Sequence, residues 1–136
     1  MKTTNYYNSF IEVAEDCPVS KAEIPKQKGE NKSIPLLQYE MIFVNPYKFT
    51  SDDVLFEVHR IRKNRLNNSD ERNLFFSKPQ ACFRASTLPK RYGWGVHFNA
   101  EGKMALFSME SEAYKKLKED KSIKLYTAMR SKRAKK

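Results

Sequence analysis

The sequence predicts an α+β domain, a mostly antiparallel sheet with a central hairpin at about residues 94–108 and helices packed on one face. Three observations carry this. Apolar residues recur at helical spacing across 34–44 and again across 51–65. From residue 80 onward the period drops to two. Between the two alternating runs lies Asn99-Ala100-Glu101-Gly102, a sequence suited to a type I turn closed by a left-handed glycine.

The elements follow in order. Residues 9–14 read as a strand, with Phe10 alternating against Glu12 while Ile11 and Val13 share the other face. Residues 18–33 are polar, contain Pro18, Pro25 and Gly29, and read as a long mobile connection. Ser33 is the expected N-cap of a helix with Pro35 in its first turn, and Asn45-Pro46 stops it. Thr50 or Ser51 starts a second helix, with Asp52 and Asp53 at its positive end and Asn67-Asn68 as its breaker. Ser69 then caps a short third helix with Leu74, Phe75 and Phe76 on its apolar side. Cys82–Ser86 reads as a strand, and Leu88–Tyr92 as a turn or crossing segment. Trp94–Phe98 and Lys103–Ser108 form the hairpin. Ser108 or Ser111 caps a helix containing Tyr114 and Leu117, and a last strand runs from Ile123 to about Met129. Residues 1–129 thus form one domain, and 130–136 a basic tail.

Composition bounds the function. With 40% hydrophobic residues and 12% aromatics the chain can build a core. No apolar run is long enough to span a bilayer, and Met1–Asn8 lacks an apolar signal region, so the expected compartment is the cytosol, without a membrane partner. Two cysteines and two histidines supply no standard metal motif, and HExxH, GxxxxGK[ST] and GxGxxG are absent. No cofactor or metal is expected. The net charge of +10 is uneven. Residues 115–136 hold ten basic and two acidic side chains, net +8, whereas residues 1–114 hold sixteen basic and fourteen acidic, net +2.

Three readings of the chemistry follow. On a strand, Cys82, Arg84 and Ser86 point one way, and His97 lies opposite Trp94 in the hairpin. Cys82, Arg84, Arg91, Tyr92, Trp94 and His97 therefore form the candidate site, an arginine–aromatic cluster able to hold a carboxylate or phosphate of a small molecule or protein partner. The plainer alternative has each arginine stacked on a ring and paired with Glu12, Glu40 or Glu57. A second reading gives nucleic-acid binding to the basic C-terminal segment through Lys124, Arg130, Lys132, Arg133, Lys135 and Lys136. A third makes Cys82 a nucleophile activated by a neighbouring arginine or histidine, against the plainer role of a small thiol beside a core strand. Of these, a non-enzymatic binding protein is the leading expectation.

Several runs also carry a family resemblance. Asn8–Pro18 (NSFIEVAEDCP), Leu37–Met41, Asn45–Lys48, Thr50–Phe56, Phe75–Lys78, Cys82–Ser86, Lys90–Gly95 (KRYGWG) and Ala128–Arg133 (AMRSKR) resemble a family of small uncharacterised bacterial cytosolic proteins. The resemblance spans essentially the whole chain and includes the basic end. It implies no activity and transfers no catalytic residue. At the level of architecture, small bacterial α+β proteins with suspected DNA binders among them offer a looser likeness.

Overall fold

Local capping chemistry sets most element ends in the computed structural model, which describes residues 2–27 and 29–132. Ser33 caps α1 (Ile34–Val44) by accepting the Leu36 N–H, and Pro35 occupies a first-turn position that needs no N–H. Thr50 opens α2 (Ser51–Lys63) with a reciprocal pair: its hydroxyl accepts the Asp53 N–H, and the Asp53 carboxylate accepts the Thr50 N–H. This helix stops before Asn67-Asn68, because Asn64 adopts the left-handed region at φ 53° and turns its N–H back onto the last carbonyls. Asn68, rather than Ser69, caps α3 (Ser69–Phe76).

The expected strand at Cys82–Ser86 is instead a single 3-10 turn, Phe83–Ala85, and the expected crossing segment is the short helix α4 (Thr87–Arg91). Ser86 accounts for both. Its hydroxyl accepts the Leu88 N–H, and Pro89 fits the first turn, so a helix start outcompetes extended backbone.

The sheet contains β1 (Ser9–Glu12), β2 (Trp94–Phe98), β3 (Met104–Ser108) and β4 (Lys124–Thr127) in the order β3-β2-β1-β4. Neighbours are antiparallel except β1 and β4, which run parallel with Ser9 opposite Lys124 and Glu12 opposite Thr127. The β2–β3 hairpin closes at Gly102, φ 78°, in the expected turn. Between β3 and β4 lies α5 (Glu112–Glu119), capped by Ser111.

The core is split by the sheet. On one face Ile11, Trp94, Val96, Phe98, Met104 and Leu106 pack with Leu37, Ile42, Val54, Val58 and Leu88 of the helices. On the other, α5 covers Phe10 through Tyr114, with Phe107, Leu117 and Ile123 alongside. Helices therefore cover one face fully and part of the second. Val13 belongs to the Phe10 side rather than sharing the Ile11 face, because the strand ends at Glu12 and Val13 donates its N–H to the Tyr114 hydroxyl at 2.8 Å.

Two ties hold the periphery. Asp52, 2% exposed, accepts the Thr3 hydroxyl at 2.7 Å, the Thr4 N–H at 2.8 Å and the Thr4 hydroxyl at 2.7 Å, fixing the residues that precede β1. The segment read as a mobile connection is tied down in part. Glu23 donates its N–H to the Tyr92 carbonyl at 2.8 Å and accepts the Trp94 indole N–H at 2.9 Å, while Ala22 donates to Glu110. Among the described residues, no helix is long and apolar enough to cross a membrane, and no group of three metal-ligating side chains occurs.

Candidate functional site

The residues singled out from the sequence do not meet at one place. His97 and Phe98 are consecutive on β2, so their side chains leave opposite faces of the sheet. Cys82 lies on the Phe98 side: it accepts the Tyr6 hydroxyl at 3.1 Å, and the Tyr6 ring sits 5.2 Å from that of Phe98. Burial first, and then the bond to the thiol, push the Tyr6 hydroxyl above its usual range, so it stays protonated as the donor. His97 instead bonds the Tyr47 hydroxyl through Nδ1 at 2.8 Å on the opposite face. Burial lowers its pKa, with Asp120 opposing. A Cys82–His97 pair is thus ruled out by strand geometry.

The arginines part company as well. Arg84 donates Nε to the Thr127 carbonyl at 2.8 Å, and its own carbonyl accepts the Met129 N–H at 2.8 Å, so it fastens the end of β4. Arg91 is exposed at the end of α4. Trp94 is core, with its ring against Tyr39 and Phe43, and Tyr92 ends α4 while holding the Glu23 segment. In the basic segment Lys124 is exposed, whereas Arg130 pairs with Glu15 at 3.0 Å and the Ser131 and Lys132 N–H groups bond the Asp16 carboxylate. Arg133, Lys135 and Lys136 lie outside the described residues.

What the fold does assemble is a trough between α1, α2, α3 and the 80–87 segment. Three adjoining clefts of about 410, 200 and 330 Å³ share the Phe75 side chain as a common wall. Ile34, Leu55 and Val58 give the trough apolar sides, and Cys82 and Ser86 lie at one end. Arg62, Lys63, Arg65 and Lys78 stand toward the other end with a single acid, Glu71. None of these four cations forms an ion pair among the described residues. Arg65 faces this way because Asn64 turns the chain back at the end of α2. The His59 ring lies tilted against Phe75 with centroids 4.5 Å apart, and burial, then the charges of Arg65 and Lys63, lower its pKa.

Gln38 is the polar residue at the apolar end. It is 4% exposed and borders two of the clefts. One amide atom accepts the Ser86 hydroxyl at 2.8 Å; the amide nitrogen has no hydrogen-bond partner among the described residues. That nitrogen is not a fully buried atom: it reaches the clefts that Gln38 lines, where a bound acceptor or water can meet it.

Gln38 carries a signal in the sequence of a different kind from the arginines and cysteines. It stands midway along the helical stripe Ile34–Gln38–Ile42, a polar residue where helix spacing calls for an apolar one. The trough itself had no comparable signal, since it needs three helices and a turn brought together.

The fold and trough define a small α+β protein with a helix-walled, cation-rimmed surface groove. The chain belongs to the family of unknown function DUF6157, whose model matches residues 1–134. No curated protein and no solved structure matches it.

Proposed function

We propose that the protein is a non-enzymatic binding module whose trough takes an anionic, partly apolar ligand or partner segment. The observation that carries the reading is Gln38: a buried amide with one hand on Ser86 and the other open to an apolar cleft that ends in unpaired cations. An acceptor oxygen would complete the amide, an apolar body would cover Leu55 and Phe75, and a carboxylate or phosphate would meet Lys63, Arg65 or Lys78. This keeps the anion-binding character expected from the sequence and moves it from Arg84 and Arg91 to the trough.

The test is an NMR titration of the full chain with two anionic probes, octanoate and the capped peptide acetyl-Leu-Leu-Asp-Glu-amide. Shifts at the Gln38, Leu55, His59 and Phe75 amides with either probe support the reading. Shifts at Arg84, Arg91, Tyr92 and Trp94 would return the site to the arginine–aromatic cluster, and shifts at neither place would refute anion binding altogether. Nucleic-acid binding through Lys124, Arg130 and the residues beyond is the competing reading. It requires that truncation after Met129 weaken DNA binding and flatten its salt dependence. The ties of Arg130 to Glu15 and of the 131–132 backbone to Asp16 weigh toward an anchored segment.

A further inference from the structure

We infer that the natural occupant of the trough is a peptide segment of a partner protein, with aliphatic anchors beside acidic residues. The inference rests on the binding reading above and narrows its ligand class.

The form of the trough argues for a peptide over a small amphiphile. Small-molecule sites enclose most of their ligand. Here the three clefts adjoin one another as an open surface channel, and apolar side chains continue past its edges: Ile34 is 47% exposed and Leu74 65%. A short-chain anion would leave those flanks in water. A peptide brings its own second face and covers them.

The order of chemistry along the trough sets the order along the peptide. At the Cys82 end the walls are mostly apolar, and the Gln38 amide nitrogen is a donor without a hydrogen bond among the described residues, which suits a backbone carbonyl between two aliphatic side chains. At the other end four cations face one acid. Charge complementarity therefore calls for Asp or Glu at that end of the peptide. Nucleic acid fits less well, because the cleft at the Cys82 end has no Lys or Arg in its walls to meet a phosphate.

The experiment is selection of displayed 12-residue peptides on the full chain, followed by affinity and NMR mapping of the enriched sequences beside octanoate. The expected result is enrichment of acidic residues next to aliphatic ones. Such peptides should shift the Gln38, Leu55 and Phe75 amides and bind at least about tenfold tighter than octanoate. Reversing two exposed cations together, Lys63→Glu with Lys78→Glu, should weaken peptide binding about fivefold or more, with the loss reduced at high salt. Octanoate at the trough with no peptide there would overturn the inference and leave the binding reading standing. Response to neither would overturn both. Enriched peptides that lack acids, or that map elsewhere, would overturn the partner class.

Discussion

Replacing Gln38 by Met separates a residue kept for binding from one kept for folding. Met matches the unbranched side chain in length, fills the same space and carries no amide. The folded protein loses the 2.8 Å bond from Ser86, which at the usual net worth of a neutral hydrogen bond costs about 0.5–1.5 kcal/mol. Ser86 is not orphaned by the change: it is only part-buried, and its oxygen still accepts the Leu88 N–H at 3.2 Å. Against this there is little offset, because the amide nitrogen opens on the clefts rather than being sealed in the core, so its removal relieves no unsatisfied burial. The balance is a loss of no more than about 0.5–1.5 kcal/mol. Urea unfolding read as a change in midpoint at constant slope measures it, and the same protein titrated with the acidic peptide should have lost most of its binding. A loss of more than about 1.5 kcal/mol of stability would refute the reasoning, since it would mean that both ends of the amide are engaged in holding the fold.

Three further outcomes follow from the packing. Asp52→Ala removes the acceptor of three hydrogen bonds and leaves Thr4 groups buried without it; chemical unfolding should register a loss of about 2–4 kcal/mol, and a change under 1 kcal/mol would mean that the N-terminal segment docks by other contacts. At Gly95 a Cβ would stand 2.5 Å from Phe10 Cζ and 2.6 Å from Tyr114 Cε2, so Gly95→Ala should cost about 1–3 kcal/mol; part of that loss should return in a Phe10→Leu background, and no return would argue against the clash. His59 and His97 both titrate below the ordinary value of 6.5, chiefly because burial disfavours the cation. The unfolded chain therefore binds protons first, so their contribution is present above about pH 6.5 and is lost as pH falls through the depressed native values. The double variant His59→Gln/His97→Gln should show a flatter stability–pH curve than the parent between about pH 7 and 5, and an unchanged slope would place the acid sensitivity elsewhere.

The features legible in the sequence were those written in a few adjacent residues. Ser33-Ile34-Pro35, the Thr50/Asp53 pair and the Asn99–Gly102 turn each carry their own hydrogen-bond logic, and each element begins or closes where that logic puts it. Misreading occurred where a pattern was shared between structures. Cys82-Phe83-Arg84-Ala85-Ser86 alternates as a strand would, yet Phe83 is its one buried residue, and the cap signal at Ser86–Pro89 was the better guide. Once that strand is a 3-10 turn, the convergence of Cys82, Arg84 and His97 has no sheet face to occur on. The parallel pairing of β1 with β4 was illegible for another reason. It joins residues more than a hundred positions apart, and nothing in either strand names its neighbour.

The charge of the chain also takes a different meaning in three dimensions. Counting by segment assigns it to residues 115–136, yet part of that segment is spent on Glu15 and Asp16, while the nearly balanced body collects unpaired cations at one end of a groove. Local placement, not net charge, sets the potential that a ligand meets, because screening confines each charge to about a Debye length of 8–10 Å. The wall that carries Phe75, with Lys78 just past its end, is α3, and it is held shallowly. Phe76 is its one buried residue, and Arg72, paired with Asp53 and lying over Phe56 and Phe76, is the clasp that joins it to α2. Elements with little buried surface open at low free-energy cost. The trough therefore has a firm side, formed by α1 and the Ser86 cap, that fixes the Gln38 amide. Its other side, α3, has less buried surface to hold it, so in the proposed complex the amide sets the register of the occupant while α3 sets how strictly its anchors are selected.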